Sequence, residues 1–225
     1  MTGKKKFISP VFWVCILLLA GCSENAKINK VAETPVEEKK AKLLRKIDRK
    51  FENPDTHYQL GKLYQADGLW AQAENQYSIA LDFDPVNRDA QAARIKVLLD
   101  SGDKPKAELL ADEYMSQAYH SAVASLRLGL AFQKELLDDY ALACYQQALR
   151  LAPNSARINR QIGYYYLSRG QKTQATDYLT RSFQLDPRQP EVAGELGRLG
   201  VAVRIPRKTT NKTKKLNEIV DQADK

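Results

Sequence analysis

Histidine and cysteine are nearly missing from this chain, with 2 and 3 copies in 225 residues. That scarcity closes off most chemistry at once. No Cys/His cluster has the spacing of a metal site, no glycine-rich phosphate loop follows a strand pattern, and no Gly-x-Ser-x-Gly elbow is present. Of the two histidines, His57 stands on the apolar face of a helical stretch, the place of a packed, hydrogen-bonded side chain. Carboxylate pairs such as Asp138–Asp139 are expected on a hydrophilic turn between helices. No catalytic, metal or cofactor site is expected, and the chain does not read as an enzyme.

Long apolar runs are scarce as well. The only one in the chain extends from Phe7 to Ala20, broken by Ser9 and Pro10 and preceded by Lys4, Lys5 and Lys6. It is short for a membrane span and has the charged-then-apolar form of a secretory signal. It ends in Leu19-Ala20-Gly21-Cys22.

What is abundant is repetition. Ala73, Ala107, Ala141 and Ala175 recur at a fixed interval, and so do Gly61, Gly129 and Gly163, with Ile95 as the departure. Each unit divides into two helices of about a dozen residues near Gly68, Gly102 and Gly170, because His57, Leu60, Gly61 and Tyr64 keep the 3-4-3 spacing of one helical face. Ala73, Tyr77 and Ala80 keep it in the second helix. Gly and Ala allow two helix axes to approach closely, and Tyr64, Phe132 and Tyr166 are expected to fill the space beside them. Pro85, Pro153 and Pro187 cannot continue a helix, so they mark the hand-over between units.

The motif His57-x-x-Leu60-Gly61-x-x-Tyr64, then Ala73-x-x-x-Tyr77, then Pro85, resembles the tetratricopeptide repeat family. Leu128-Gly129, Ala141-x-x-x-Tyr145 and Pro153 repeat it, as do Ile162-Gly163, Ala175-x-x-x-Leu179 and Pro187. The resemblance implies an all-α, right-handed solenoid of four helix-turn-helix repeats at 54–87, 88–121, 122–155 and 156–189. Such units bury their apolar faces only by stacking, so the ends need caps. Thr34-Pro35-Val36-Glu37 has the form of a capping box and opens a capping helix over 35–52, with Leu43, Leu44, Ile47 and Phe51 on one side and Lys or Arg on the other. A membrane-surface helix is the rival reading of that stretch. Residues 190–201 form the C-terminal cap of a solenoid that spans 35–201, weakened by Gly194, Gly197 and Gly200 at up to about 1 kcal/mol each.

Leu19-Ala20-Gly21-Cys22 resembles the lipobox of bacterial lipoproteins. The resemblance implies a signal peptide at 1–21, acyl chains on Cys22 and attachment to a bilayer through that residue. Ser23, rather than Asp, after the cysteine points to the outer membrane, facing the periplasm, or to the outer face of the cytoplasmic membrane in a host with one membrane. Cys144 is then the only thiol left, which excludes an internal disulfide. It reads as a packing residue, since nothing nearby would activate it. Residues 22–34 form a tether with a reach of roughly 20 Å. The basic tail, 202–225, is either a solvated charge run or a contact with an anionic surface. Nucleic acid is not an expected partner despite the net charge of +8, because an exported chain rarely meets it.

The second unit departs from the others. Arg94-Ile95 stands for Leu-Gly, Tyr114 stands where the other units have Ala80, Ala148 and Ser182, and Tyr119 replaces proline. A partner-binding notch and drift within a tolerant scaffold both fit. In the family, positions 2, 5, 9 and 12 of each unit line a concave groove. Here they include Tyr58, Lys62 and Gln65, then Ala92 and Lys96, then Leu126, Leu130 and Gln133, and finally Arg157, Arg160, Tyr164 and Leu167, with Arg127 beside them. The family's carboxylate clamp uses Lys and Asn at set positions, and the asparagines are missing. The expected groove is basic, through Lys62, Lys96, Arg127, Arg157 and Arg160, with Leu126, Leu130, Tyr58 and Tyr164 as anchors. The implied function is a lipid-anchored scaffold or adaptor that holds an acidic protein or peptide during assembly of pilus, secretion or cell-wall machinery. The alternatives are an enzyme sited in the second repeat near Asp112, Glu113 and Tyr114, and a surface-binding module using the tail.

Overall fold

A computed structural model describes residues 35–204. The signal segment 1–21, the tether 22–34 with Cys22, and the tail from 205 onward lie outside the described residues. The chain divides into two compact units, Met1–Lys39 and Lys40–Lys225. Of the first, only the opening of one helix is described. The second carries everything that follows.

The helices are α1 (Pro35–Arg49), α2 (Pro54–Ala66), α3 (Trp70–Phe83), α4 (Arg88–Asp100), α5 (Lys104–Ala118), α6 (Ala122–Lys134), α7 (Asp138–Leu151), α8 (Ala156–Ser168), α9 (Lys172–Leu185) and α10 (Pro190–Arg198). Among the described residues there are no strands. The helices α2, α4, α6, α8 and α10 open at 54, 88, 122, 156 and 190, an interval of 34 each time.

Local chemistry sets those openings. The side chains of Asn53, Asn87, Ser121 and Ser155 accept hydrogen bonds from the backbone N–H groups of Thr56, Ala90, Ala124 and Ile158 at 3.1, 3.0, 3.2 and 3.4 Å. Each bond satisfies one of the donors that a helix start leaves unpaired. The first helices also end alike. A residue in the left-handed region follows each one: Gly68, Gly102, Leu136, Gly170 and Gly200. The next N–H then returns to a carbonyl five residues back, as from Leu69 to Tyr64 at 2.9 Å and from Leu137 to Phe132 at 2.9 Å. This closes the helix and favours glycine at the turn. Leu136, at φ 59°, is the non-glycine exception. Asp138 and Asp139 lie in the first turn of α7 rather than in a turn between helices, where negative charge suits the helix N-terminus. Asp138 pairs there with Arg169.

Inside each repeat the two helices meet over a glycine. A Cβ at Gly61, Gly129 or Gly163 would come within 2.6 Å of Tyr77, Tyr145 or Leu179. The bulk opposite these glycines therefore comes from the second helix, not chiefly from Tyr64, Phe132 and Tyr166. In the first and third repeats the tyrosine hydroxyl is tied back, from Tyr77 to Gln65 at 2.5 Å and from Tyr145 to Gln133 at 2.6 Å. The second repeat reverses the sizes, with Ile95 and Ala111 at the same two positions, both fully buried in one core cluster.

The other departures of the second repeat form an ionic cluster. Arg94 reaches Glu74 of α3 at 3.0 Å, and Lys106 of α5 reaches the same carboxylate at 2.9 Å. Arg94 also approaches the buried Tyr114 hydroxyl at 3.4 Å. Burial works to raise the Glu74 pKa, but hydrogen bonds from Lys106 and Arg94 outweigh it and hold the carboxyl below its usual range. Arg94 and Lys106 thus join the second repeat to the first through Glu74, and Tyr114 braces Arg94 from within its own repeat. Asp112 and Glu113 beside the buried Tyr114 are exposed.

Candidate partner-binding face

The expected groove depends on how first helices of successive repeats lie together. They meet most extensively where α4 packs along α6. That contact buries Ala92 completely and leaves Leu126 only 3% exposed. Neither lines a groove, and Leu126 is a core residue rather than an anchor.

Beside this joint lies a hollow of about 740 Å³, between the segment 84–89 and the 127–134 face of α6. Val86, Leu130 and Ala131 supply its apolar wall, and Arg88, Arg127 and Lys134 its cations. Lys134 is already engaged with Asp89 at 2.9 Å. Arg88 is half-buried and donates to the Gln91 side chain at 2.8 Å. Arg127 is exposed and has no ion pair or hydrogen bond among the described residues. It is therefore the cation in the hollow available to a ligand, with half-buried Leu130 one turn away.

The remaining expected residues divide by repeat. Lys96 is committed to Asp100 on its own helix at 2.5 Å. Lys62 lies over the Tyr58 ring, 5.9 Å from its centroid. Burial, then Asp89 and Glu135, push the Tyr58 hydroxyl up to about 12. Carboxylates thus stand near Tyr58 as well as Lys62, and the middle of the face is not uniformly basic. In the fourth repeat the cap intervenes. Arg160 pairs with Glu191 of α10 at 3.1 Å and donates to Gln189 at 3.2 Å. Tyr164 and Leu167 pack against the cluster formed by Leu179, Phe183, Val192, Ala193 and Leu196. Arg157 alone among them stays exposed and unpaired among the described residues. The site residues brought together are Arg127 and Leu130; Lys96, Arg160 and Tyr164 are held in intramolecular contacts.

Two groups with chemical potential are structural. His57 is buried, with Nε2–H donating to the Phe51 carbonyl at 2.8 Å and Nδ1 meeting the Gln76 side chain at 2.8 Å. Cys144 is buried, and burial, partly opposed by Arg88, pushes its thiol up to about 12. A thiol so far above neutrality stays protonated and unreactive. Among the described residues no group of three or more His, Cys, Asp or Glu side chains is placed to hold a metal ion. No described helix is long and apolar enough to cross a membrane.

Capped helix pairs in strict register, closed over small residues, define a helical repeat protein. The tetratricopeptide repeat family matches residues 58–122 and 138–190, and the chain belongs to that family. Among known proteins, it is 30% identical over 155 residues to the type IV pilus assembly protein PilF of Pseudomonas aeruginosa. That match covers 64% of this chain and 58% of PilF, so the chain spans less than two thirds of its relative's length. A solved structure of the Pseudomonas aeruginosa PilF protein shares 27% identity over 65% of this chain and 67% of that one, with a TM-score of 0.37. The Thermus thermophilus tetratricopeptide repeat protein TTC0263 shares 16% identity over 73% and 90% of the two chains, with a TM-score of 0.44. Members of the family are generally binding scaffolds rather than enzymes.

Proposed function

We propose that this protein is a scaffold of the bacterial cell envelope, held on a membrane by lipid at Cys22, that grips a protein partner of pilus assembly in the hollow beside the α4–α6 joint. The observation that carries the reading is the hollow itself. It is about 740 Å³ in volume, with an apolar wall and an unpaired arginine at its mouth. The pilus setting follows the relation to PilF, and the anchor follows the Leu19-Ala20-Gly21-Cys22 motif. Arg127 supplies attraction for a carboxylate on the partner, and Val86 and Leu130 supply the contact that salt does not screen. No catalytic step is assigned to the chain.

A photo-crosslinking residue at Leu130, compared with one at exposed Gln174 of α9, tests this reading in native membranes. The expected result is a discrete adduct with a pilus-assembly component from position 130 only, lost from membranes washed at high salt when Cys22→Ala is added. The same adducts from both positions, or none from position 130, would overturn the hollow as the binding site. Retention of the Cys22→Ala protein in membranes washed at high salt would overturn the anchor.

A further inference from the structure

The α1 helix carries a second surface, distinct from the hollow. From Lys40 onward its buried side is marked by Leu43 and half-buried Ile47. At about 100° per residue, Arg45, Lys46 and Arg49 share an arc of roughly 100° on the other side, and Asp48 falls outside it. All three are exposed, as is Lys50 just after them, and none has an ion pair or hydrogen bond from its side chain to another described residue. Elsewhere many cations are compensated: Lys40 by Asp67 at 3.3 Å, Arg94 by Glu74 at 3.0 Å and Lys134 by Asp89 at 2.9 Å. A helix C-terminus favours positive charge in its last turn. Glu38 in the first turn falls on the same arc, but from Lys40 onward the arc holds no carboxylate, and the preference of the helix end accounts for one or two of these cations rather than for all three.

We propose that this face of α1 rests on the anionic phospholipid headgroups of the bilayer. The partner chemistry follows from the charge. Adjacent cations on one convex helix face match a plane of phosphates better than a single carboxylate. No large apolar side chain lies on the arc, since Leu44 and Phe51 fall nearer the buried side. The contact is therefore peripheral and electrostatic, without insertion. Its nearness to a bilayer rests on the anchor proposed above. Twelve residues, 23–34, separate Cys22 from the helix in the sequence, and a flexible coil of that length has a typical reach of roughly 20 Å. The charge argument stands without the anchor.

The test uses the full chain carrying Cys22→Ala, so that no acyl chain contributes, and vesicles of phosphatidylcholine with or without phosphatidylglycerol. It is compared with the same chain bearing Arg45→Glu, Lys46→Glu and Arg49→Glu. The N-terminal apolar run and the basic tail are common to both proteins and cancel. Each cation near an anionic surface strengthens binding roughly five-fold, so reversing three weakens partition onto phosphatidylglycerol vesicles by roughly 100-fold or more at low salt. High salt erases the difference. A second variant with glutamine at the three positions should lose at least roughly ten-fold, and it decides the matter if the glutamate variant melts early. Equal partition of all proteins would overturn the proposal. So would binding that survives in the variants and disappears when 205–225 is deleted, or duplex DNA held by the unaltered chain as tightly as vesicles. Absence of a lipid label at Cys22 in the unaltered protein, with vesicle discrimination between the variants intact, would remove the anchor and leave this face standing.

Discussion

The second and third repeats have the same length and helix register, yet they fill the same space by opposite means. In the third, Gly129 gives way to Tyr145, whose hydroxyl is fixed by Gln133. In the second, Ile95 supplies the bulk and Ala111 gives way. The third joins its two helices through an apolar seam, while the second reaches back to the first through Glu74, Arg94 and Lys106. A repeat therefore constrains the summed volume across a helix pair rather than the residue at any one position. Where one apolar position is surrendered to arginine, the neighbour must supply a carboxylate.

Forcing one arrangement into the other gives the largest expected effect. Gly129→Ile should cost about 3 kcal/mol, because the Tyr145 ring is pinned by its hydrogen bond and cannot swing aside. Combined with Tyr145→Ala, which copies the second repeat, the double variant should cost at least about 1 kcal/mol less than the sum of the two single changes. Denaturant unfolding of the four proteins measures the coupling, and strict additivity would show that the two positions do not share one volume.

The ionic joint comes next. Glu74→Gln should cost about 2–3 kcal/mol at neutral pH, since it leaves Arg94 and Lys106 without their carboxylate. Because the folded state lowers the Glu74 pKa, its contribution is complete above the ordinary carboxylate range. It is lost as pH falls through the lowered value. The gap between wild type and Glu74→Gln should therefore close in acid. A gap of constant size from neutral pH into strong acid would contradict the pairing.

The smallest effect concerns the turns. Leu136 is 78% exposed and holds a left-handed conformation where the neighbouring repeats use Gly102 and Gly170. Leu136→Gly should raise stability by about 0.5–1 kcal/mol, as relief of backbone strain exceeds the entropy glycine adds to the unfolded chain. Gly102→Ala, the converse change, should cost about 1 kcal/mol. Opposite signs in thermal melts would establish that the two turns are equivalent.

The helix pattern was legible because its causes are local. Capping residues, left-handed turns and 3-4 spacing act within a few residues, so the register at 54, 88, 122 and 156 follows from the chain alone. The partner face was legible only in part. The rule that places positions 2, 5, 9 and 12 in a groove assumes identical joints, and the α4–α6 contact breaks that assumption at Ala92 and Leu126. The Lys96–Asp100 pair stood in the sequence as an i,i+4 pair. Arg160 and Glu191, by contrast, lie 31 residues apart and meet only because one unit's first helix stands beside the next. Arg127 was named for its charge; what singles it out, the absence of a counter-ion beside an apolar hollow, is a property of packing.

The helix caps bear on how such a chain changes its length. Asn53, Asn87, Ser121 and Ser155 each cap the helix that follows, so the last residue of one unit supplies the cap for the first helix of the next, and the caps are interchangeable. Removing 88–121 would set Ala122 directly behind Asn87, with a cap as competent as the Ser121 it replaces. Inserting a copy would do the same in reverse. The last boundary differs. Gln189 turns its side chain inward to the Ser182 and Asp186 carbonyls at 3.1 and 2.8 Å, leaving α10 without a side-chain cap. The chain thus behaves as a ruler graduated in whole units and closed at one end, where a gene can gain or lose a division everywhere but at the stop.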